Sequence, residues 1–86
     1  MSARDIDNRL RAALAPSRLA VQDDSHLHAG HAGAREGGHY TVHITSARFA
    51  GLARLARHRL VYDSLGPLGP LGVHALAIVA KAPGEP

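Results

Sequence analysis

The chain has 86 residues, a formal net charge of +3 and no cysteine. That length makes one small domain near the lower limit of unaided folding, with no room for a deep cleft between two domains. The missing cysteines exclude disulfides and every thiolate metal site, and they fit a reducing compartment.

The opening MSARDIDNRL carries acids and no apolar centre, so it reads as the start of a helix and not as a signal peptide. Ile6, Leu10 and Leu14 recur every fourth residue with Ala13 beside Leu10, which predicts an amphipathic helix of about three turns. Ser2 can cap it, Asp5 suits its first turn, and Pro16 ends it by steering Ala15 from helical angles. Leu19 and Val21 alternate with smaller or polar neighbours in a short strand from Arg18 to Gln22, closed by Asp23-Asp24-Ser25. A loop rich in Gly, Ala and His runs from His26 to Gly38, longer than the usual hairpin connection, and long loops are more often functional. Tyr40, Val42 and Ile44 then alternate with Thr41, His43 and Thr45, the clearest half-buried strand in the chain; the two strands should pair antiparallel.

Ser46 can cap a helical segment from about Ala47 to Leu65. Leu52, Leu55 and Ala56 share one side of it and Val61 and Leu65 the opposite side, which predicts two short helices with a bend near Arg57-His58. The run from Gly66 to Gly72 cannot continue a helix. VHALAIVA, beginning at Val73, is apolar on both faces apart from His74 and reads as a strand covered on both sides or lying centrally. The order αββααβ predicts an α+β domain over residues 1–82, a three-stranded sheet with helices packed on one face. Residues 83–86 form a proline-broken tail expected to fray. No apolar run approaches the ~20 residues that span a bilayer, so a soluble, cytoplasmic protein without a membrane partner is expected.

Seven histidines carry most of the chemical potential. His26, His28 and His31 form H-x-H-x-x-H in the long loop, and imidazole is a common ligand for transition metals, although loop histidines also bind metal adventitiously. His43 lies on the polar strand face, and His39 at the strand's start suits a structural role. His74 shares strand parity with Leu76 and Ile78; it is either a core histidine with a satisfied hydrogen bond or, at the strand's mouth, one that presents a nitrogen outward. Arg48, Arg54, Arg57 and Arg59 face only Asp63 in their segment, a basic stripe that suits phosphate, an acidic partner or simply solvent. Ser25, His26 and Asp24 supply the residue types of a hydrolytic triad, but neighbours in an extended segment point to opposite sides, and neither G-x-S-x-G nor a phosphate-binding glycine loop is present. No enzyme is expected.

Together these residues resemble the BolA family. The matching pieces are Asp24-Ser25-His26, His39-Tyr40, Ser46-x-x-Phe49-x-Gly51, Arg57-His58-Arg59-x-Val61-Tyr62-x-x-Leu65 and Val73-His74-Ala75-Leu76, in order over nearly the whole chain. The resemblance implies a class II KH-like fold with a mixed sheet, and a chain that is a monomer or weak homodimer when alone. It also implies a heterodimer with a monothiol glutaredoxin that shares a [2Fe–2S] cluster, completed by the partner's cysteine and glutathione and absent from the lone chain. One ligand then maps to His74 and the second to the loop position aligned as His28, with His31 as the alternative. A second implied activity is DNA binding and transcriptional regulation through Arg54, Arg57, His58 and Arg59. Two departures bear on these readings. The family's helix usually continues with acidic residues where Gly66-Pro67-Leu68-Gly69-Pro70 stands here, and no G-x-x-G nucleic-acid loop is present.

Overall fold

The computed structural model describes residues 2–25, 38–68 and 73–86, with 73 and 74 described by their backbone alone. The first helix, α1, spans Ala3–Leu14. Ser2 and Asp5 close a reciprocal capping box: Ser2 Oγ accepts the Asp5 N–H, and the Asp5 carboxylate accepts the Ser2 N–H at 2.9 Å. Two donors that a helix start leaves orphaned are thereby satisfied. The bond from the Ser2 backbone is also the main cause that holds the Asp5 carboxyl below its ordinary range. Ile6, Leu10 and Leu14 are buried, whereas Ala13, expected on their face, lies at the stripe's margin and is exposed. Pro16 does bar further helix, but Ala15 answers by turning left-handed (φ 43°, ψ 55°) and donating its N–H to the Arg11 carbonyl, not by extending.

Strands β1 (Arg18–Asp23) and β2 (Gly38–Thr45) pair antiparallel, from Arg18 against Thr45 to Asp23 against Tyr40. Strand β3 (Val73–Lys81) joins β2 in parallel, so the sheet is mixed, in the order β1-β2-β3. A parallel neighbour needs a crossover. Here it consists of a 3-10 turn, Ala47–Phe49, and helix α2, Arg54–Leu65. Tyr40, Val42, Ile44 and Ile78 on one sheet face pack with Ile6, Leu10, Leu14, Phe49, Val61 and Leu65 in a single core. This is the expected α+β arrangement with helices on one face, compatible with a KH-like fold.

Three expectations need correction. The bend in the helical segment falls before Arg54 and not at Arg57-His58: Gly51 takes φ 76°, and α2 then runs unbroken. The conflict of faces resolves with Val61 and Leu65 buried and Leu55 63% exposed. Strand β3, apolar on both faces, is neither central nor doubly covered. Leu76, Ile78 and Ala80 meet the core, while Ala75, Ala77 and Val79 are exposed on the open face of an edge strand. Finally, the tail is tied down. Glu85 accepts the Ala82 N–H at 2.9 Å and receives the Arg57 guanidinium on both carboxylate oxygens, Nη2 at 2.8 Å. An ion pair with a distant helix holds what local propensity alone would release.

Candidate functional site

The mouth of the long loop is stapled by short polar side chains. Ser25 Oγ accepts the His39 N–H at 3.0 Å, the Asp24 N–H reaches the His39 carbonyl at 2.7 Å, and Asp23 Oδ1 accepts the Ser25 N–H at 2.9 Å. Thr41 Oγ1 donates to Asp24 Oδ2. Asp24 Oδ1 is buried and has no hydrogen-bond partner among the described residues. Asp24 and Ser25 thus fix where the loop leaves β1 and re-enters β2. Their placement just after a strand, where Asx and Ser turns favour such bonds, was the available signal for this role.

The start of β3 lies beside that mouth. Gly38 pairs with Val73 but His39 pairs with Ala75, so one residue of β3, His74, is an extra member opposite the Gly38/His39 step. Bulges of this kind locally break the ladder and are enriched beside functional sites. Gly38 permits a close approach here, because a Cβ at that position would run into the Tyr40 ring. Tyr40 is buried, and this burial, then Asp23 and Asp5, pushes its phenol above the ordinary value. His28 and His31, together with His26, lie outside the described residues. Among the described residues no group of three or more His, Cys, Asp or Glu side chains is placed to hold a metal ion. His43 is exposed on the open sheet face, and His39 is half-buried.

The four basic positions do not form one stripe. Arg57 is turned inward: Nε donates to the Leu52 carbonyl at 2.8 Å, Nη1 to the Ala80 carbonyl at 3.2 Å, and the rest of the guanidinium holds Glu85. Glu85, bonded first by Arg57 and then by the Ala82 N–H, has its carboxyl lowered to about 2. Arg54 and Arg59 are exposed and His58 is half-buried. Five residues of α-helix place Arg59 about 140° around α2 from Arg54. Arg54 and His58 therefore share a side that Arg59 does not.

At its far end, α2 stops at Leu65, as the glycine and proline that follow require; Gly66 has φ 80°, and Arg9 of α1 donates to the Leu65 carbonyl at 3.2 Å. Among the described residues no helix is long and apolar enough to cross a membrane.

Comparison with known proteins agrees with this fold. Residues 10–85 match the family model described as BolA-like protein. An uncharacterised Sinorhizobium protein is 45% identical over 84 residues, covering 94% of this chain and 90% of that protein. The Escherichia coli DNA-binding transcriptional regulator BolA is 41% identical over 73 residues, covering 85% of this chain and 68% of the regulator. By contrast, the chain spans only 23% of the Arabidopsis SufE-like protein 1, chloroplastic/mitochondrial, at 42% identity. The solved BolA domain of SufE1 from Arabidopsis superposes with a TM-score of 0.84 at 43% identity, over 98% of this chain and 94% of that domain. The family model, the E. coli relative and the solved domain carry the names of a BolA-like protein, a transcriptional regulator and a BolA domain. The chain belongs to the family of BolA-like proteins.

Proposed function

We propose that this chain is a non-enzymatic iron–sulfur partner protein that shares a [2Fe–2S] cluster with a monothiol glutaredoxin and its glutathione, in cluster delivery or iron sensing. The observation that carries the reading is the bulge at His74, set in the strand step where the His28 and His31 loop returns to the sheet. The donor set fits the group. A chain without cysteine cannot hold such a cluster in the all-thiolate manner, but two neutral imidazoles can serve one iron and leave the other to a partner's thiolates. His74 and His28, with His31 as the alternative to His28, are the ligands in this reading. Asp24 Oδ1, a buried carboxylate oxygen at the loop's root with no partner among the described residues, is an acceptor of the type that orients ligating imidazoles. When bound, the cluster would supply an electron-accepting centre whose potential histidine ligation raises. The histidines hold only while neutral, so retention weakens on acidification.

The test mixes the chain with a monothiol glutaredoxin, glutathione, iron and sulfide, and records visible absorption and circular dichroism. A heterodimer spectrum distinct from that of the glutaredoxin alone, and lost in His74→Ala, is expected. A spectrum indifferent to adding this chain would sink the reading. Loss in His28→Ala but not in His31→Ala assigns the loop ligand.

The name of the E. coli relative supports a second reading, DNA binding. Of the residues it would use, Arg54 and Arg59 are exposed, His58 is half-buried and Arg57 is engaged within the fold. Nonspecific phosphate affinity should then fall in Arg54→Ala with Arg59→Ala, with a flatter salt dependence. Affinity that ignores salt would exclude it.

A further inference from the structure

Parallel pairing leaves half of the β3 backbone without a partner strand. The Ser46 N–H bonds the Lys81 carbonyl at 3.0 Å on the β2 side. Backbone groups alternate sides along a strand, so Leu76, Ile78 and Ala80 direct theirs to the outer edge. Arg57 takes the Ala80 carbonyl, and the bulge at His74 interrupts the other end. Between them, the edge at Leu76 and Ile78 has no neighbouring strand among the described residues. Open apolar edges of this kind are templates for strand addition, which proteins normally blunt.

Helix α2 does not seal this end of the sheet. Its core stripe, Val61 and Leu65, continues toward the N-terminus as His58 and Arg54, one and two turns earlier on the same side. A guanidinium and an imidazole stand where apolar residues would close helix onto strand. A groove of about 360 Å³ results, walled by Leu52, Ile78 and Val79 together with Arg54 and His58, with Arg57 also in its lining. None of the residues lining it is acidic. Among the described residues, the one carboxylate that reaches this lining is Glu85, seated on Arg57.

We propose that this groove and the free edge of β3 dock an extended acidic segment of a partner protein, added beside β3 as a fourth strand with a carboxylate against Arg54 and His58. Charge selects the segment, and the edge selects its conformation. The outer-edge groups at Leu76 and Ile78, without a partner strand among the described residues, include both donors and acceptors, which a peptide backbone matches and a phosphate backbone, offering acceptors only, does not. Glu85 on Arg57 shows within the chain itself that a carboxylate is accommodated at this lining. The site lies toward the opposite end of β3 from His74 and does not depend on a cluster.

The experiment titrates the isotopically labelled full chain with the blocked peptide Glu-Val-Thr-Val-Thr-Val-Glu and follows backbone amides by NMR. Shifts at residues 54–58 and 75–80 are expected, with about tenfold slower hydrogen exchange at Leu76 and Ile78. The same peptide with Lys for Glu should bind about tenfold more weakly, and Arg54→Glu should reverse that preference, a readout that survives any small loss of stability. Equal binding of both peptides, or none of either at millimolar concentration, overturns the proposal. So does protection of Leu76 and Ile78 that grows with protein concentration alone, which would make a second copy the occupant. A DNA duplex that displaces the peptide and leaves those amides exchanging freely would make the groove a phosphate surface and equally overturn it.

Discussion

Ser46 is 1% exposed and is the one buried polar side chain among the described residues. Its hydroxyl donates to the Leu14 carbonyl at 2.6 Å and accepts the Arg48 N–H at 3.1 Å, so a single oxygen caps the 3-10 turn and satisfies the end of α1. Ser46→Ala removes a cap, a loss of about 1 kcal/mol. It also leaves a buried carbonyl short of its partner, a further loss of about 1–2 kcal/mol. The expected cost, about 2–3 kcal/mol, is a large share of the roughly 4–13 kcal/mol that a domain of this length holds in total. It should lower the thermal midpoint by about 10–20 °C. Urea denaturation followed by far-ultraviolet circular dichroism measures it, with an unchanged slope against denaturant. Ser64→Ala is the control, since that hydroxyl merely bonds back to Leu60 within α2 at 2.7 Å and should cost less than about 0.5 kcal/mol. If both variants cost the same, Ser46 does not hold the joint between α1 and the crossover, and the reasoning fails.

Two more perturbations address the ends of the sheet. Gly38→Ala places a methyl group against the Tyr40 ring and should cost about 1–3 kcal/mol with a changed tyrosine signal in near-ultraviolet dichroism. An unaltered signal would mean that the ring does not lie over Gly38. For Glu85, whose carboxyl falls from 4.5 to about 2, the Arg57 pair contributes fully above pH 4.5 and is lost as pH drops toward 2. Urea midpoints of the natural chain and of Glu85→Gln should therefore differ at neutral pH and converge near pH 2, with parallel curves as the contrary result.

Local chemistry made the elements legible, and long-range pairing decided the rest. Ser2, Asp5 and the spacing of Ile6, Leu10 and Leu14 define α1 without help from elsewhere, and the alternation through Tyr40, Val42 and Ile44 defines β2. The bend in the crossover was misplaced because Leu52 and Leu55 look like core at helical spacing. The capped element is a single 3-10 turn, closed before Gly51 turns to φ 76°. The apolar run in β3 suggested cover on both faces. Alanine at 75 and 77 is equally compatible with an open face, and hydropathy does not separate the two cases. In the basic stripe, composition gave every arginine the same weight, yet Arg57 is a structural clasp because Glu85, distant in sequence, folds back onto it. The histidine of the bulge was found by motif. No period or propensity marks an extra residue in a parallel ladder, so the bulge itself was invisible.

Both proposals meet on β3, and their separation along it makes a further prediction. The docking edge reaches back to Leu76, two strand positions from His74, but its charge-reading groove lies at Val79, five positions from His74 and about 16 Å away at the usual rise. Sites that far apart without shared partners couple by no more than about 0.5 kcal/mol. Arg54→Glu should therefore leave the His74-dependent heterodimer spectrum intact, and His74→Ala should leave acidic-peptide binding at the groove within about twofold of the natural chain. Combining the substitutions should add their separate effects. Strong coupling would require either one partner that spans both ends of β3 or a change of register carried along the strand from the bulge. Hydrogen exchange at Leu76 and Ile78 separates these. A register change would alter their protection in His74→Ala with no partner present, whereas a spanning partner would not.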